Sequence, residues 1–277
     1  MYEEYWGLSR APFQTVPDPD FFCLFPAYQE ALERLFYVVE YGKGAAMLTG
    51  EIGAGKTTLS RVFLLRLDEE RYDVGLVINP ALRRDELLYE IALQLGTPPP
   101  KDARISIFRA INERLLANAQ QERGTVLIID EAQTITQKAA LEDLRMLLNF
   151  QFSDRHLLSI ILFGQPDLRE TLARQRALDQ RIAIRLHLGP LGVVETVSYI
   201  EFRLEKAGAT RPIFTDEAIN IIHRAAWGIP RSINHLCDLC LFEGMHRKVT
   251  EIDASLAKAV RGESETSRRK YRAGLLI

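Results

Sequence analysis

The stretch "GAAMLTGEIGAGKTTLSRVFLLRL", residues 44–67, decides the fold. It opens as a short apolar run, turns through Gly50, Gly53 and Gly55, and continues as "KTTLSRVFLLRL", which has no glycine or proline and reads as a helix. The spacing matches G-x-x-x-x-G-K-[ST] in full, with Gly53 as an extra glycine. Glycines let the backbone turn sharply, so that its N–H groups converge on one anion. The helix that follows offers its N-terminus to the same anion. The predicted phosphate loop is therefore Gly50, Glu51, Ile52, Gly53, Ala54, Gly55, Lys56, Thr57 and Thr58. Lys56 is expected on the β- and γ-phosphates, and the Thr57 hydroxyl at a magnesium position. A glycine-rich turn with no ligand is the bland alternative. A strand before the turn and a helix after it are the context the motif requires.

Outward from this loop the pattern alternates. Residues 26–41 place Leu32, Leu35, Phe36 and Val39 on one face of a helix that opens with proline. "DVGLVINP" (73–80), "TVLIIDEAQ" (125–133), "LLSIILFGQP" (157–166) and "IAIRLHL" (182–188) read as strands, the second and third of them as apolar runs of the kind buried on both faces. "GTPPP" at 96–100 interrupts the helical stretches between the second and third strands. Strands alternating with helices predict an α/β fold with a parallel sheet. After "GPLG" (189–192) only helices are expected, over 193–208, 215–227, 231–247 and 253–261, with Thr215 capping the second. The predicted organisation is an α/β base over residues 1–188, a smaller all-helical domain over 189–262, and a basic tail over 263–277.

"LIIDEAQ" ends a buried strand in two carboxylates. Beside a phosphate loop, Asp130 is the expected magnesium anchor and Glu131 the group that polarises an attacking water. Such a base serves hydrolysis better than passive binding. Gln165, in "LFGQP", falls at the C-terminal edge of the sheet, where open α/β folds bind ligands; it is either a partner of the γ-phosphate or a turn residue before Pro166. Arg174, Arg176, Arg181 and Arg185 precede or enter the last strand. They are either surface charge or a source of an arginine acting on a neighbouring subunit, with Arg181 first choice and Arg185 second.

"HRAAWGIPRSINHLCDLC" (223–240) offers two candidates. Gly228 closes one helix and Pro230 opens the next, so Arg231 sits in a first helical turn and can answer a phosphate. Cys237 and Cys240 share a helical face with Ile233, Leu236 and Leu241, which is the pattern of a core. Zinc needs about four ligands, and no second pair has ligand spacing.

Composition agrees with a globular chain in a reducing, cytosolic compartment. The chain has 277 residues, 47% of them hydrophobic, and a net charge of −2, so no global basic field argues for nucleic acid. Three cysteines do not make a disulfide framework. The N-terminus lacks the basic and apolar regions of a signal peptide, and no window holds eighteen uninterrupted apolar residues. The tail "SRRKYRAGLLI" is either a solvated end or the cytoplasmic flank of a span lying beyond it.

The order of these elements, from the phosphate loop through "DEAQ", "FGQPDLRE" and "DQRIAIRLHLGPL" to "GIPRSINHLCD", resembles the AAA+ ATPases of the general secretion pathway protein A family. "YWGLSRAPFQTVPDPDFF" near the N-terminus adds to the likeness, which runs from about residue 5 to 262. The resemblance implies Walker A at Gly50–Thr57, Walker B at Asp130 and Glu131, sensor 1 at Gln165, an arginine finger at Arg181 and sensor 2 at Arg231. It also implies a helical lid on the base, an active site between subunits of a ring or filament, and residues Pro17–Phe22 near the adenine. Longer members of that family continue into a membrane span and a peptidoglycan-binding region. This sequence reaches Ile277 with neither, which either leaves the secretion role open to question or makes the sequence only the cytoplasmic part. Related AAA+ proteins of transposition systems form ATP-dependent filaments on double-stranded DNA, for which Arg83, Arg84, Lys101 and Arg104 are candidate contacts if they are not ordinary surface charge.

The expectation is therefore a magnesium-dependent ATP hydrolase using ATP and Mg2+. It is expected to self-assemble, in the cytoplasm or at the inner membrane, and to serve a secretion complex or, alternatively, double-stranded DNA.

Overall fold

The computed structural model describes residues 1–16, 18–97, 104–152 and 155–262. Contacts divide the chain into two compact units. One holds residues 24–52 and 56–188; the other holds residues 1–23, 53–55 and those from 189 onward.

The first unit is an α/β base. Its sheet comprises β1 (Ala45–Gly50), β2 (Tyr72–Val77), β3 (Gly124–Ile129), β6 (Leu158–Gly164) and β7 (Ile182–Leu188). The short β4 (Gln151–Phe152) and β5 (Arg155–His156) form a separate antiparallel pair. The strand order is β2-β3-β6-β1-β7, and every neighbouring pair is parallel. Helix α1 (Tyr2–Trp6) belongs to the second unit, while α2 (Pro26–Glu40), α3 (Lys56–Arg66), α4 (Arg84–Gln94), α5 (Arg104–Gln120), α6 (Lys138–Leu147), α7 (Asp167–Ala173) and α8 (Arg176–Asp179) belong to the base.

The continuous apolar strands follow from a sheet covered on both faces. Met47, Leu127, Ile129, Ile160 and Leu162 join Leu88 and Ile91 of α4, Ile111 of α5 and Leu144 of α6 in one buried cluster. The alternate residues Leu48, Ile128 and Phe163 are also fully buried, because strand side chains alternate and α2 and α3 pack on β1 and β6. Phe36 and Phe63 join these two helices, their ring centroids 4.9 Å apart. Each such buried side chain contributes about 1.5–3 kcal/mol relative to exposure.

Register places the chemistry. Thr49 lies opposite Gly164 and Ile129 opposite Leu162. The chain therefore leaves β1 at Gly50, β3 at Asp130 and β6 at Gln165 along one carboxyl edge. Ala45 pairs with Ile182, so Arg181 lies at the opposite edge.

The second unit is helical: α1, α9 (Val193–Lys206), α10 (Asp216–Ala226), α11 (Pro230–Arg247) and a helix over 254–262. Thr215 caps α10 as its sequence suggests, accepting a hydrogen bond from the Ala218 amide at 3.2 Å. Residues 1–23, placed with the base from sequence, instead pack on these helices. The reason is aromatic and polar partners. Trp6 Nε1 donates to Leu241 O at 2.9 Å, and the Tyr2 hydroxyl donates to Asp238. A Cβ at Gly244 would lie 2.7 Å from the Trp6 ring, so the bare backbone of α11 makes room for the indole. Arg203, buried on α9, reaches back to Pro12 O at 2.6 Å and to the Tyr199 hydroxyl at 2.8 Å.

Cys237 and Cys240 are buried in the core of α11. Burial pushes the Cys240 thiol up to about 12 and Cys237 well above the ordinary thiol range. Among the described residues no cluster of three or more His, Cys, Asp or Glu can hold a metal, and no helix is long and apolar enough to cross a membrane. The basic tail over 263–277 lies outside the described residues.

Candidate nucleotide site

The phosphate loop leaves β1 and closes at Lys56, the first residue of α3. Gly53 and Gly55 take φ values of +85° and +90°, a region that costs a residue with a Cβ about 1 kcal/mol or more. The motif's glycines thus have a conformational cause here. Lys56 is 5% exposed, its ammonium donating to Gly50 O at 2.8 Å and Glu51 O at 3.0 Å. A charge held this deeply by two carbonyls is set at the mouth of the loop, where an anion would attract it more strongly than they do.

Across the sheet edge, Thr57 Oγ1 donates to Asp130 Oδ2 at 2.9 Å, and the Glu131 amide donates to Asp130 Oδ1 at 2.9 Å. Asp130 is 3% exposed. Burial is the main cause that raises its carboxyl above the ordinary value of 3.8, and its bonds to Thr57 and Glu131 pull the other way. A hydroxyl and a carboxylate at hydrogen-bond distance, both hard oxygen donors, fit a magnesium ion that keeps most of its waters.

Glu131 has φ +52°, ψ +36°, a left-handed conformation uncommon for any residue but glycine. It turns the chain sharply out of β3 and keeps the half-buried Glu131 side chain at the strand tip. Strain of this kind persists where neighbouring bonds hold it, and here Gln133 supplies one. Its Nε2 donates to Glu131 Oε2, and its Oε1 accepts from the Gln165 amide at 3.0 Å. In the sequence this glutamine merely closes "DEAQ" and carries no sign of a task. Its role depends on β3 and β6 being neighbours, which the linear order does not display.

The other candidates fall in different places. Arg231 is exposed, and its guanidinium has no partner among the described residues; its amide donates to Gly53 O at 3.2 Å. A Cβ on Gly53 would come within 2.6 Å of Arg231 Cβ, so glycine there admits the start of α11. Arg181 is half-buried and gives Nη1 to Leu148 O at 3.1 Å. Arg185 is committed to Asp179, at 2.9 Å, and to the Ile182 carbonyl. Arg84, a candidate DNA contact, forms a two-pronged pair with buried Asp143, both bonds at 2.7 Å. Lys101 and the Arg104 side chain lie outside the described residues, as does Pro17. Phe21, from the segment expected near the adenine, is buried with Arg10 and Arg203 over its ring at 4.2 and 4.7 Å.

A phosphate loop, a buried aspartate bonded to the loop threonine and a glutamate beside it define a P-loop nucleotide protein, and residues 39–172 match the family described as an AAA domain. The matched segment takes in the phosphate loop, Asp130, Glu131 and Gln165. The chain is 39% identical to General secretion pathway protein A of Aeromonas hydrophila over 263 residues, covering 93% of this chain and 48% of that protein. A second relative, an HTH-type transcriptional regulator of Methanocaldococcus jannaschii, is 30% identical over 138 residues, 48% of this chain and 33% of that one. The chain thus spans half or less of the curated relatives it matches. Among solved structures the fold resembles the Aeropyrum pernix ORC1 protein in complex with DNA, with a TM-score of 0.67, 19% identity, and coverage of 94% of this chain and 70% of that one. The Thermotoga maritima RuvB motor has a TM-score of 0.56 and 22% identity, with coverage of 84% and 68%.

Proposed function

We propose that this chain is a magnesium-dependent ATP hydrolase acting as a nucleotide-driven assembly switch, most directly for an envelope or secretion complex. The observation that carries the reading is the pair Asp130–Glu131, held at the carboxyl edge of the sheet by Thr57 and Gln133. Lys56 would exchange the Gly50 and Glu51 carbonyls for the β- and γ-phosphate oxygens. Thr57 and Asp130 would hold the magnesium ion, which supplies charge neutralisation on the phosphates. Glu131 would take the proton of the attacking water, and Gln165 would bond the γ-phosphate.

Arg231 would answer the phosphates from the helical unit, so that nucleotide state sets the angle of the lid. Arg181, at the sheet edge opposite the loop, would reach the nucleotide of a neighbouring copy. An arginine supplied in this way is worth about 10³–10⁵ in rate in other P-loop enzymes. Weak hydrolysis by the monomer and faster hydrolysis on assembly follow. The secretion reading rests on the identity to General secretion pathway protein A over nearly the whole of this chain.

The likeness to ORC1 solved with DNA supports a second reading, a regulator that assembles on double-stranded DNA. Against it stands Arg84, already neutralised by Asp143. Particle mass in solution, measured with a non-hydrolysable ATP analogue with and without double-stranded DNA, separates the two. A closed oligomer indifferent to DNA supports the first reading, and growth only with DNA supports the second. A monomer under every condition overturns the assembly switch.

A further inference from the structure

The amide of Gln133 has both ends occupied, by groups just past the ends of two different strands. Its nitrogen donates to the Glu131 carboxylate and its oxygen accepts from the Gln165 amide at 3.0 Å. Glu131 lies two residues past the end of β3 and Gln165 one past the end of β6, and these strands pair directly in the sheet. Three further features converge on this bridge. Glu131 holds a left-handed backbone at φ +52°, and the Thr134 hydroxyl donates to its carbonyl at 2.8 Å. Gly164, the residue before Gln165, has no side chain where one would intrude: a Cβ there would lie 3.0 Å from Gln133 Oε1 and 2.6 Å from Leu168. The Ala132 side chain beside them is buried, which fixes the short turn between the two bonds.

We propose that Gln133 is a positioning residue that ties the tip of β6 to the carboxylate of Glu131. It makes the direction in which that carboxylate points depend on what the β6 tip contacts. The inference rests on the hydrolase reading above, in which Glu131 acts on water and the β6 tip faces the γ-phosphate. The geometry explains why a glutamine stands here. A primary amide offers a donor to a carboxylate and an acceptor to a backbone N–H across one short planar group. A movement at Gln165 therefore displaces the Gln133 oxygen, and the rigid amide carries it to the nitrogen that holds Glu131. A base displaced by about 1 Å loses up to 10²-fold in rate, so a bridge of this kind affects turnover more than binding.

The test uses the full chain and two variants, Gln133→Met and Gln133→Glu. Methionine keeps length and packing but loses both bonds. Glutamate keeps the acceptor for Gln165 and loses the donor for Glu131. Wild-type phosphate release is the control for the underlying reading; if the wild type releases no phosphate, the hydrolase reading fails before this one is tested. With an active wild type, both variants are expected to lose about ten- to a hundredfold in kcat with the Kd for a non-hydrolysable ATP analogue unchanged. In a Glu131→Gln background, Gln133→Met is expected to cause no further loss, because the two residues act as one unit. Full kcat in Gln133→Glu, a parallel loss of analogue binding, or an additive loss on top of Glu131→Gln would each overturn the proposal. A structural role alone predicts those last two results.

Discussion

Replacing Gly228 by alanine should weaken the turn that launches α11. Gly228 has φ +69°, and a Cβ built there would lie 2.3 Å from the Leu191 carbonyl oxygen and 3.1 Å from the Leu191 amide nitrogen. The same two residues are joined by a hydrogen bond from the Leu191 amide to Gly228 O at 2.9 Å. The left-handed conformation alone costs alanine about 1 kcal/mol. An oxygen at 2.3 Å forces the two backbones apart by several tenths of an ångström, which lengthens that bond, worth about 1 kcal/mol. Residual overlap against backbone, which cannot rotate away as a side chain does, adds about 1–3 kcal/mol. The total is about 3 kcal/mol or more, corresponding to a fall of roughly 6–12 °C in the unfolding midpoint. Calorimetry on wild type and Gly228→Ala measures it, and binding of a fluorescent ATP analogue should weaken in the same variant because Arg231 follows the turn directly. A midpoint within about 1 °C of wild type would refute the close approach of Gly228 and Leu191.

Other outcomes follow from the same geometry. Asp130→Asn should raise the unfolding midpoint of the nucleotide-free protein at neutral pH while abolishing hydrolysis. Burial raises the Asp130 carboxyl above 3.8 in the folded state; its contribution to stability is complete below that pH and lost as pH rises through the folded value, so at pH 7 the ionised group costs stability. Thermal scans from about pH 3 to 8 should show the advantage of the Asp130→Asn variant disappearing at the acid end. Mixing Arg181→Ala with Glu131→Gln should restore part of the hydrolysis each lacks alone, since a mixed interface can hold one intact loop and one intact arginine; no recovery would remove Arg181 from the role of a trans arginine. Ellman titration of the native protein should show Cys23 reacting ahead of Cys237 and Cys240, whose thiols are buried and held protonated.

Much of this arrangement was legible in the chain. "GAAMLTG", "VLIID" and "LSIILFG" are apolar because helices cover both faces of the sheet, and that physical cause is also what makes them readable as strands. Gly53, Gly55 and Gly228 stand where the backbone turns left-handed, so punctuation in the sequence and conformation agree. What escaped depends on pairing at a distance. Tyr2 and Trp6 carry no period that says which unit they join; only the carboxylate of Asp238, the carbonyl of Leu241 and the bare surface at Gly244 decide it. Gln133 acquires meaning from the order β3-β6, which places Gln165 beside it across 32 residues of chain. Arg84 reads as free surface charge because Asp143, its partner, lies on α6, 59 residues on.

At the centre of the proposed function, Glu131 turns a bound ATP into a hydrolysed one. Rapid-quench measurement of phosphate formation from ATP and magnesium, with wild type and Glu131→Gln each saturated with nucleotide, addresses this step without reference to any client. The expected result is phosphate formation by the assembled wild type and a loss of about a hundredfold or more in Glu131→Gln, with ATP retained at equal affinity. Equal rates in the two proteins, or tight ATP binding by an assembled wild type that forms no phosphate, would contradict it.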